Sequence, residues 1–197
     1  MTSGSRQASL GTADRALDVA ERLVQIRGFN GVSYADITDE LKITKASLHY
    51  HFRSKGELGY ALISRYSARF ATALANIDRD VSRPRAKLDA YVEIYTGVLR
   101  GDRMCLCGML AAEYETLPEP MSEAVVMFFQ DNEAWLGRVI SQGQTDGSLS
   151  RSLTPGEASQ MILSGLEGAM LLARTYGGLP RFQSSAQRLL DALAPAA

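Results

Sequence analysis

The side chains best suited to chemistry lie in two short stretches of the chain. Residues 43–55 hold both histidines beside lysines and a tyrosine, and residues 105–107 hold both cysteines. His49 and His51 are two residues apart, so on a helix they diverge by about 200° and do not share a face. Since their stretch contains no acid or thiol, the histidines predict no metal site.

The two cysteines, Cys105 and Cys107, are too close together to staple a fold, and their one-residue gap is not that of a zinc or redox motif. Arg100 and Arg103 precede them, and a helix is predicted to begin here; both features favour a reactive thiolate. We keep two hypotheses: one thiol senses a reactive compound, or both are small buried residues at a helix junction.

The N-terminal residues lack the apolar core of a secretory signal, and no run of roughly eighteen apolar residues could cross a membrane. The only two cysteines are too close together to form a structural disulfide, which is typical of proteins in a reducing compartment. We therefore expect a cytoplasmic protein with no membrane partner.

The sequence lacks the combinations of residues that enzyme catalysis would need. Both histidines lie in the first stretch, so no general base remains for a serine or cysteine nucleophile elsewhere. Glu113 and Glu115 flank Tyr114, but two residues apart on a helix their carboxylates point to different sides. We expect neither an enzyme nor a cofactor.

Composition indicates an ordinary globular protein whose charge is unevenly distributed. Of 197 residues, 46% are hydrophobic and 22% are charged, and the chain is long enough to bury a core. Residues 1–103 carry sixteen Lys/Arg and twelve Asp/Glu, a net charge of +4; residues 104–197 carry five and ten, a net charge of −5. The basic first half hints at a polyanion partner.

Apolar periodicity and capping motifs predict an all-α fold of about nine helices. The first predicted helix has Thr12 as its cap and ends at Gly28, and the second and third begin at Ser33 and Thr44. The fourth runs from Ser54 to about Asp80 and the fifth from Pro84 to Gly101. The last four cover about 106–115, 122–142, 155–176 and 181–193. We predict a disordered tail (1–11), a three-helix helix-turn-helix domain (12–56) and a helical bundle (57–197), with the long fourth helix joining the two domains.

The helix beginning at Thr44 has a face that suits DNA. At 3.6 residues per turn, Leu48 and Phe52 fall on an inward face. The outward face holds small, aromatic and hydrogen-bonding residues flanked by basic side chains, which suits the major groove. Its members are Ala46, Ser47, His49 and Tyr50, with Lys45 and His51 on the flanks. A merely solvated helix face would have the same composition.

Over about residues 12–60 the sequence resembles the tetracycline-repressor (TetR/AcrR) family of bacterial transcription regulators. The resemblance rests on Gly28-Phe29, Val32-Ser33, Ile37, Ile43-Thr44-Lys45, Leu48-His49-Tyr50-His51-Phe52 and Ser54-Lys55-Gly56-Glu57-Leu58. It implies a homodimer that binds a palindromic DNA operator, usually as a repressor, and is released by a small-molecule effector. The rival interpretation is a helical ligand-binding or interaction protein without DNA function.

Carried over residue by residue, the resemblance implies a set of DNA contacts. Helix starts would bind phosphate, an aromatic pair would contact the backbone, and a lysine and a histidine would approach the bases or nearby phosphates. The predicted contacts are Ser33, Thr44, Lys45, Ala46, Ser47, His49, Tyr50, His51 and Lys55. The family often has Gly where Ala46 stands and commonly has Tyr in place of His49, so base preference at these two positions is not inherited.

The second domain matches the family only in helix count and in Gly165-Leu166-Glu167-Gly168-Ala169, which looks like the family's late dimerising helix. The resemblance implies an effector pocket there, with the candidate contacts Tyr95, Met109, Tyr114, Phe128, Trp135 and Glu167, although the aromatic residues also fit a core. Some family members sense electrophiles or oxidants with a cysteine in a context like that of Cys105 and Cys107. Small residues allow helices to approach closely, so we predict a dimer interface at Gly165, Gly168, Ala169 and Leu172.

Overall fold

The computed structural model describes residues 11–176 and 178–195, and within these ranges the fold is all-α, as predicted. The described residues form nine α-helices: α1 (Thr12–Arg27), α2 (Tyr34–Leu41), α3 (Lys45–His51), α4 (Lys55–Asp80), α5 (Pro84–Arg100), α6 (Leu106–Ala111), α7 (Glu119–Thr145), α8 (Pro155–Tyr176) and α9 (Leu179–Asp191). A 3-10 turn, Tyr114–Thr116, lies between α6 and α7. Apart from Gly11, the predicted tail lies outside the described residues.

The best predicted helices are those with strong local signals at their ends. Ser54 accepts a hydrogen bond from the Glu57 amide at 3.1 Å, which fixes the start of α4 as predicted. Pro84 occupies the first turn of α5, where its missing N–H costs nothing. Gly28 ends α1 with a φ of 81°, in the left-handed region that favours glycine.

Several predicted boundaries are wrong. Thr12 is the first residue of α1 and not its cap, which is Gly11. Pro120 and Pro180 lie in the first turns of α7 and α9, so these helices begin earlier than predicted. Proline is tolerated in a first turn because its amide would have no helical partner there. We expected both prolines to end the preceding segments.

Two further boundaries also differ from the prediction. The sixth helix ends at Ala111, and the chain then continues into the 3-10 turn. The seventh helix runs through Gly143 to Thr145. A Cβ at Gly143 would lie 2.5 Å from the Leu149 side chain and 3.0 Å from Pro84, so this glycine stays within the helix and allows both residues to pack against it.

Helices α1 to α3 form a small domain that is held against α4. Ile37 and Leu48 are fully buried in its core. The Glu21 carboxylate on α1 accepts hydrogen bonds from Arg65 (3.3 Å) and Arg69 (2.6 Å), both on α4. The predicted boundary at residue 56 falls in the first turn of α4, so the two predicted domains share this helix.

The remaining helices pack around the other end of α4. The Asp78 carboxylate, near the end of α4, accepts from Lys87 Nζ on α5 at 2.7 Å and from Trp135 Nε1 on α7 at 2.9 Å. Helices α8 and α9 pack on each other and cover α7 and α5. None of the described helices is both long and apolar enough to cross a membrane.

Gly59 on α4 lies where the small domain meets α7. A Cβ there would be 2.5 Å from Met121 Sδ and 2.8 Å from the Phe29 ring. We therefore expect Gly59→Ala to lower the free energy of unfolding by about 1–3 kcal/mol through overpacking, measured by urea denaturation. Gly97→Ala is the matched control, because nothing lies within 4 Å of its Cβ position on α5.

The control should stabilise the protein by about 0.5–1 kcal/mol, since alanine is the better helix former. Equal stabilisation by the two substitutions would contradict close packing at Gly59.

Candidate DNA-binding surface and effector site

Helix α3 presents the predicted outward face. Leu48 is fully buried and Phe52 is 8% exposed, whereas Tyr50 is 85% exposed. The other exposed members of the face and its flanks are Lys45, Ala46, His49 and His51, while Ser47 is half-buried. Among the residues that the structure describes, no group of three or more His, Cys, Asp or Glu side chains is placed to hold a metal ion.

Tyr34 braces this helix, a role that sequence reasoning missed. Its hydroxyl donates to the Phe52 carbonyl at 2.8 Å, just after α3, and its ring lies 4.7 Å from the His49 ring between centroids. Burial, together with the nearby Glu57 carboxylate, raises the pKa of Tyr34 to about 12, so the hydroxyl stays protonated and donates. The sequence signal that could have indicated this role is an aromatic residue directly after the Ser33 cap, at the first position of α2.

Ser33 and Thr44 both cap helices. Thr44 accepts from the Ser47 amide at 3.1 Å. The Ser33 hydroxyl accepts from the Asp36 amide and donates to the Asp36 carboxylate at 2.6 Å. Hydrogen bonds from Ser33, reinforced by Arg27, lower the pKa of Asp36 to about 2. The Ser33 hydroxyl and the Ser33 amide (2.8 Å) therefore both donate to Asp36 already, so a phosphate contact at this helix start would come from the next amides in the first turn of α2.

Lys55 is placed differently from the other predicted DNA contacts. Its ammonium lies 4.4 Å from the centroid of the Phe29 ring, a cation–π contact inside the small domain. Partial burial lowers the pKa of Lys55, opposed by the nearby carboxylates of Glu113 and Asp36. In this arrangement Lys55 stabilises the junction between the domains.

In the helical domain three of the four aromatic candidates, Tyr95, Phe128 and Trp135, lie in one packed cluster. Tyr91 stacks on Trp135 with centroids 5.5 Å apart, and Phe70 lies edge-on to Phe128 at 5.1 Å. The Tyr91 hydroxyl donates to Asn132 Oδ1 at 2.9 Å, and Tyr95 Oη lies 3.2 Å from the Tyr91 hydroxyl oxygen.

The other two candidate contacts are placed differently. Tyr114 is 42% exposed, and none of the ring contacts or hydrogen bonds of this cluster involves it. Met109 is half-buried and packs against the core.

Glu167 of α8 brings a carboxyl group to the edge of this cluster. The residue is half-buried, but its carboxyl group is inside, near Cys105 and Tyr95. Its Oε1 is buried without a hydrogen-bond partner. Burial raises the pKa of Glu167 to about 7, although the polar groups of Cys105 and Tyr95 act in the opposite direction. A Cβ at Gly108 would lie 3.1 Å from Glu167 Cδ, so this glycine leaves space for the acid.

The predicted lowering of the thiol pKa is wrong, and the burial of both cysteines agrees with the second hypothesis, small buried residues at a helix junction. Cys105 and Cys107 are fully buried, and burial, reinforced by the Glu167 carboxylate, raises the pKa of both thiols. The arginines are directed elsewhere: Arg100 pairs with Glu93, and Arg103 donates to Gln25 Oε1 at 3.3 Å. The helix start is present, since Cys105 is the N-cap of α6, but desolvation outweighs it.

The four predicted interface residues on α8 divide into two pairs. A Cβ at Gly165 would lie 2.6 Å from the Leu189 side chain of α9, and Ala169 is buried, so both are covered by the same chain. Gly168 has nothing within 4 Å of its Cβ position, and Leu172 is 47% exposed. Only the second pair is open to a partner.

Comparison with known proteins agrees with this architecture at both ends of the chain. The family model described as bacterial regulatory proteins of the tetR family matches residues 16–62. The model described as the tetracyclin repressor-like C-terminal domain matches residues 83–189, which is more than half of the chain.

Individual relatives cover nearly the whole length. A TetR-family regulator from Agrobacterium tumefaciens has 31% identity and a TM-score of 0.90, over 92% of this chain and 97% of that one. The transcriptional regulator AcuR of Cereibacter sphaeroides is 28% identical over 87% of this chain and 80% of its own length. The repressor NemR of Escherichia coli K12 is 25% identical, over 83% and 84%. The chain therefore belongs to the TetR family of bacterial transcriptional regulators, which are not enzymes.

Proposed function

We propose that the chain forms a homodimer that binds a palindromic operator through α3 and is released when a small molecule binds the helical domain. Residues 12–56 would bind DNA, and residues 57–197 would bind the effector and the second copy. The observation that carries the proposal is the exposed face of α3, on which Tyr50 projects while Leu48 anchors the helix from behind. A helix with such a face fits the major groove, and a dimer would place two of them about one turn of DNA apart.

Positive charge around α3 supports this placement. Lys42, Lys45 and Arg53 are exposed before, on and after the helix. Such residues neutralise phosphates and release counterions, which supplies affinity independent of sequence. We propose Lys45, His49, Tyr50 and His51 as direct contacts. The amides without helical partners in the first turns of α2 and α3, after Ser33 and Thr44, are proposed as phosphate-facing groups. Repression is the favoured outcome, since NemR and DhaR, a relative from Mycobacterium sp., are named repressors.

The exposed apolar side of α8 supports dimerisation. Leu171 and Leu172 are both largely exposed, and Gly168 leaves an open surface one turn earlier. Exposed leucines on one helix face, next to a position without a side chain, fit a close helix–helix contact. We propose that α8 and α9 of two copies form a four-helix interface centred on Gly168 and Leu172.

The effector site is proposed at Glu167. A buried carboxyl oxygen without a partner costs about 1–3 kcal/mol, and a ligand that donates a hydrogen bond or carries a positive charge would satisfy it. Tyr66 and Phe70 of α4 belong to the same cluster: the Tyr66 hydroxyl lies 3.7 Å from Cys105 Sγ, and the Phe70 ring lies 6.2 Å from that of Tyr95. Displacing these rings would move α4 and change the spacing of the two α3 helices.

Release by a thiol-reactive compound has less physical support. Both thiols are buried with a raised pKa, so neither is a ready nucleophile. Attack would require the domain to open first. We therefore favour a ligand that binds without forming a covalent bond.

Lys45→Ala should weaken binding to DNA from the protein's own upstream region, because a contact beside the phosphates is lost. The slope of log affinity against log salt should fall by about one, measured by fluorescence anisotropy at several salt concentrations. Arg151→Ala is the control: it removes an exposed charge in the loop after α7 and should leave the slope unchanged.

If both variants kept the wild-type slope and affinity, α3 would not be the DNA-binding surface. Failure of the wild-type protein to bind at low salt would favour a helical ligand-binding or interaction protein without DNA function.

Leu172→Arg should convert the dimer to a monomer, because a charge at the centre of an apolar interface is left without a partner. Sedimentation equilibrium measures the change directly. Tyr60→Arg is the matched control: Tyr60 is 50% exposed on α4, outside the proposed interface. A Leu172→Arg protein that sediments like the wild type would rule out this face of α8.

Glu167 should make stability depend on pH. Its pKa is about 7 in the folded protein against an ordinary 4.5, so the folded state holds the proton more tightly than the unfolded chain. The stabilisation is complete below pH 4.5 and is lost as the pH rises through 7, by something on the order of 3 kcal/mol.

Glu167→Gln removes this group, so the stability of the variant relative to the wild type should increase between pH 5 and pH 8 in urea denaturation. Parallel pH profiles for the two proteins would show that the acid is not buried as described.

A further inference from the structure

A carboxylate of the helical domain binds the backbone of the small domain. Glu113, just after α6, accepts from the Phe29 amide at 2.6 Å and from the Asn30 amide at 3.2 Å. Both amides lie in the loop between α1 and α2. Hydrogen bonds from backbone amides to a carboxylate are among the stronger ones in proteins, because the acceptor is charged.

Gly28 is shaped around this contact. A Cβ at Gly28 would lie 2.6 Å from Glu113 Oε1 and 3.1 Å from Cδ, and its φ of 81° is itself unfavourable for other residues. The glycine therefore serves both the turn after α1 and the approach of the Glu113 carboxylate.

Further hydrogen bonds join the same two regions. Asn30 Nδ2 donates to Thr116 Oγ1 at 2.7 Å, beside Glu113. The Met104 amide donates to the Gln25 carbonyl at 3.2 Å, and an Arg174 guanidinium of α8 donates to the Ile26 carbonyl. Carbonyls in the last turn of a helix lack helical partners. Here the helical domain supplies those partners for α1.

We call the hydrogen bonds of Glu113 and Thr116 to Phe29 and Asn30 the α1 clasp. Helix α6 connects the clasp to the proposed effector site. Glu167 lies against the start of α6, because a Cβ at Gly108 would be 3.1 Å from the Glu167 Cδ atom. The clasp begins two residues after the last residue of α6. The six residues of α6 span only about 9 Å, and its Leu106 and Leu110 are buried. A short, buried helix moves as one piece, so a shift at its start displaces Glu113.

We infer that Glu113 is a positioning residue for DNA binding: the α1 clasp sets the orientation of the small domain, and α6 transmits changes at Glu167 to it. This inference rests on the proposed function of α3. Together with the other hydrogen bonds to the end of α1, the clasp adds noncovalent links between the domains to the covalent one through α4. The clasp acts on α1 and α2, which hold α3 from behind.

The first experiment needs no DNA. In Glu113→Ala, the amide protons of Phe29 and Asn30 should exchange with solvent at least tenfold faster than in the wild type, measured by NMR. Glu113→Gln keeps one acceptor oxygen and should restore part of the protection. Glu115→Ala is the matched control, an exposed acid two residues away, and should leave both rates unchanged. Unchanged protection in Glu113→Ala would overturn the clasp even if the protein binds DNA.

The second experiment is a double-mutant cycle on operator affinity. Glu167→Gln should change the Kd at least threefold in the wild-type background and less than 1.5-fold in the Glu113→Ala background, because the connection is then broken. A Glu167→Gln effect of equal size in both backgrounds would overturn transmission through Glu113. If the wild-type protein did not bind the operator, the proposed function would be refuted, but the amide exchange result would still test the clasp.

Discussion

The structure depends on holding a helix of only seven residues in one orientation while most of its surface stays exposed. Isolated helices shorter than about 12–15 residues are marginal in water, so α3 owes its conformation to its surroundings. Leu48 anchors it in the core of the small domain, and the Tyr34 hydroxyl binds the carbonyl that follows it. Every side chain used in this way is unavailable to DNA, which leaves one narrow face for recognition.

The helical domain has the opposite character, with polar groups where a simple core would be apolar. The carboxyl group of Glu167 lies beside tyrosines and cysteines, and one of its oxygens has no partner. Such an arrangement costs stability, and a costly group at a helix junction is typical of a site that binds or responds to something. The same burial that makes Glu167 sensitive to a ligand makes the neighbouring thiols poor nucleophiles.

Local signals predicted the helices and the inward and outward sides of α3, because a capping box and a 3.6-residue period each involve residues that are close together in the sequence. Contacts between distant segments could not be predicted in this way. Glu113 lies more than eighty residues from the amides that it binds, and the sequence offered it only as one of two acids beside a tyrosine. The thiol pKa was misjudged for the same reason, since burial and the approach of Glu167 follow from the packing of α6 against α8.

The proposed function requires two copies of α3 to enter successive major grooves of one operator. Dimethyl sulfate protection can detect this arrangement, because the reagent methylates guanine N7 in the major groove and adenine N3 in the minor groove. We predict guanine protection in two patches about one helical turn apart on the same face of the DNA, lost together when Tyr50 is replaced by alanine. Protection confined to adenines, or guanine protection that the Tyr50 substitution leaves unchanged, would show that α3 does not bind in the major groove.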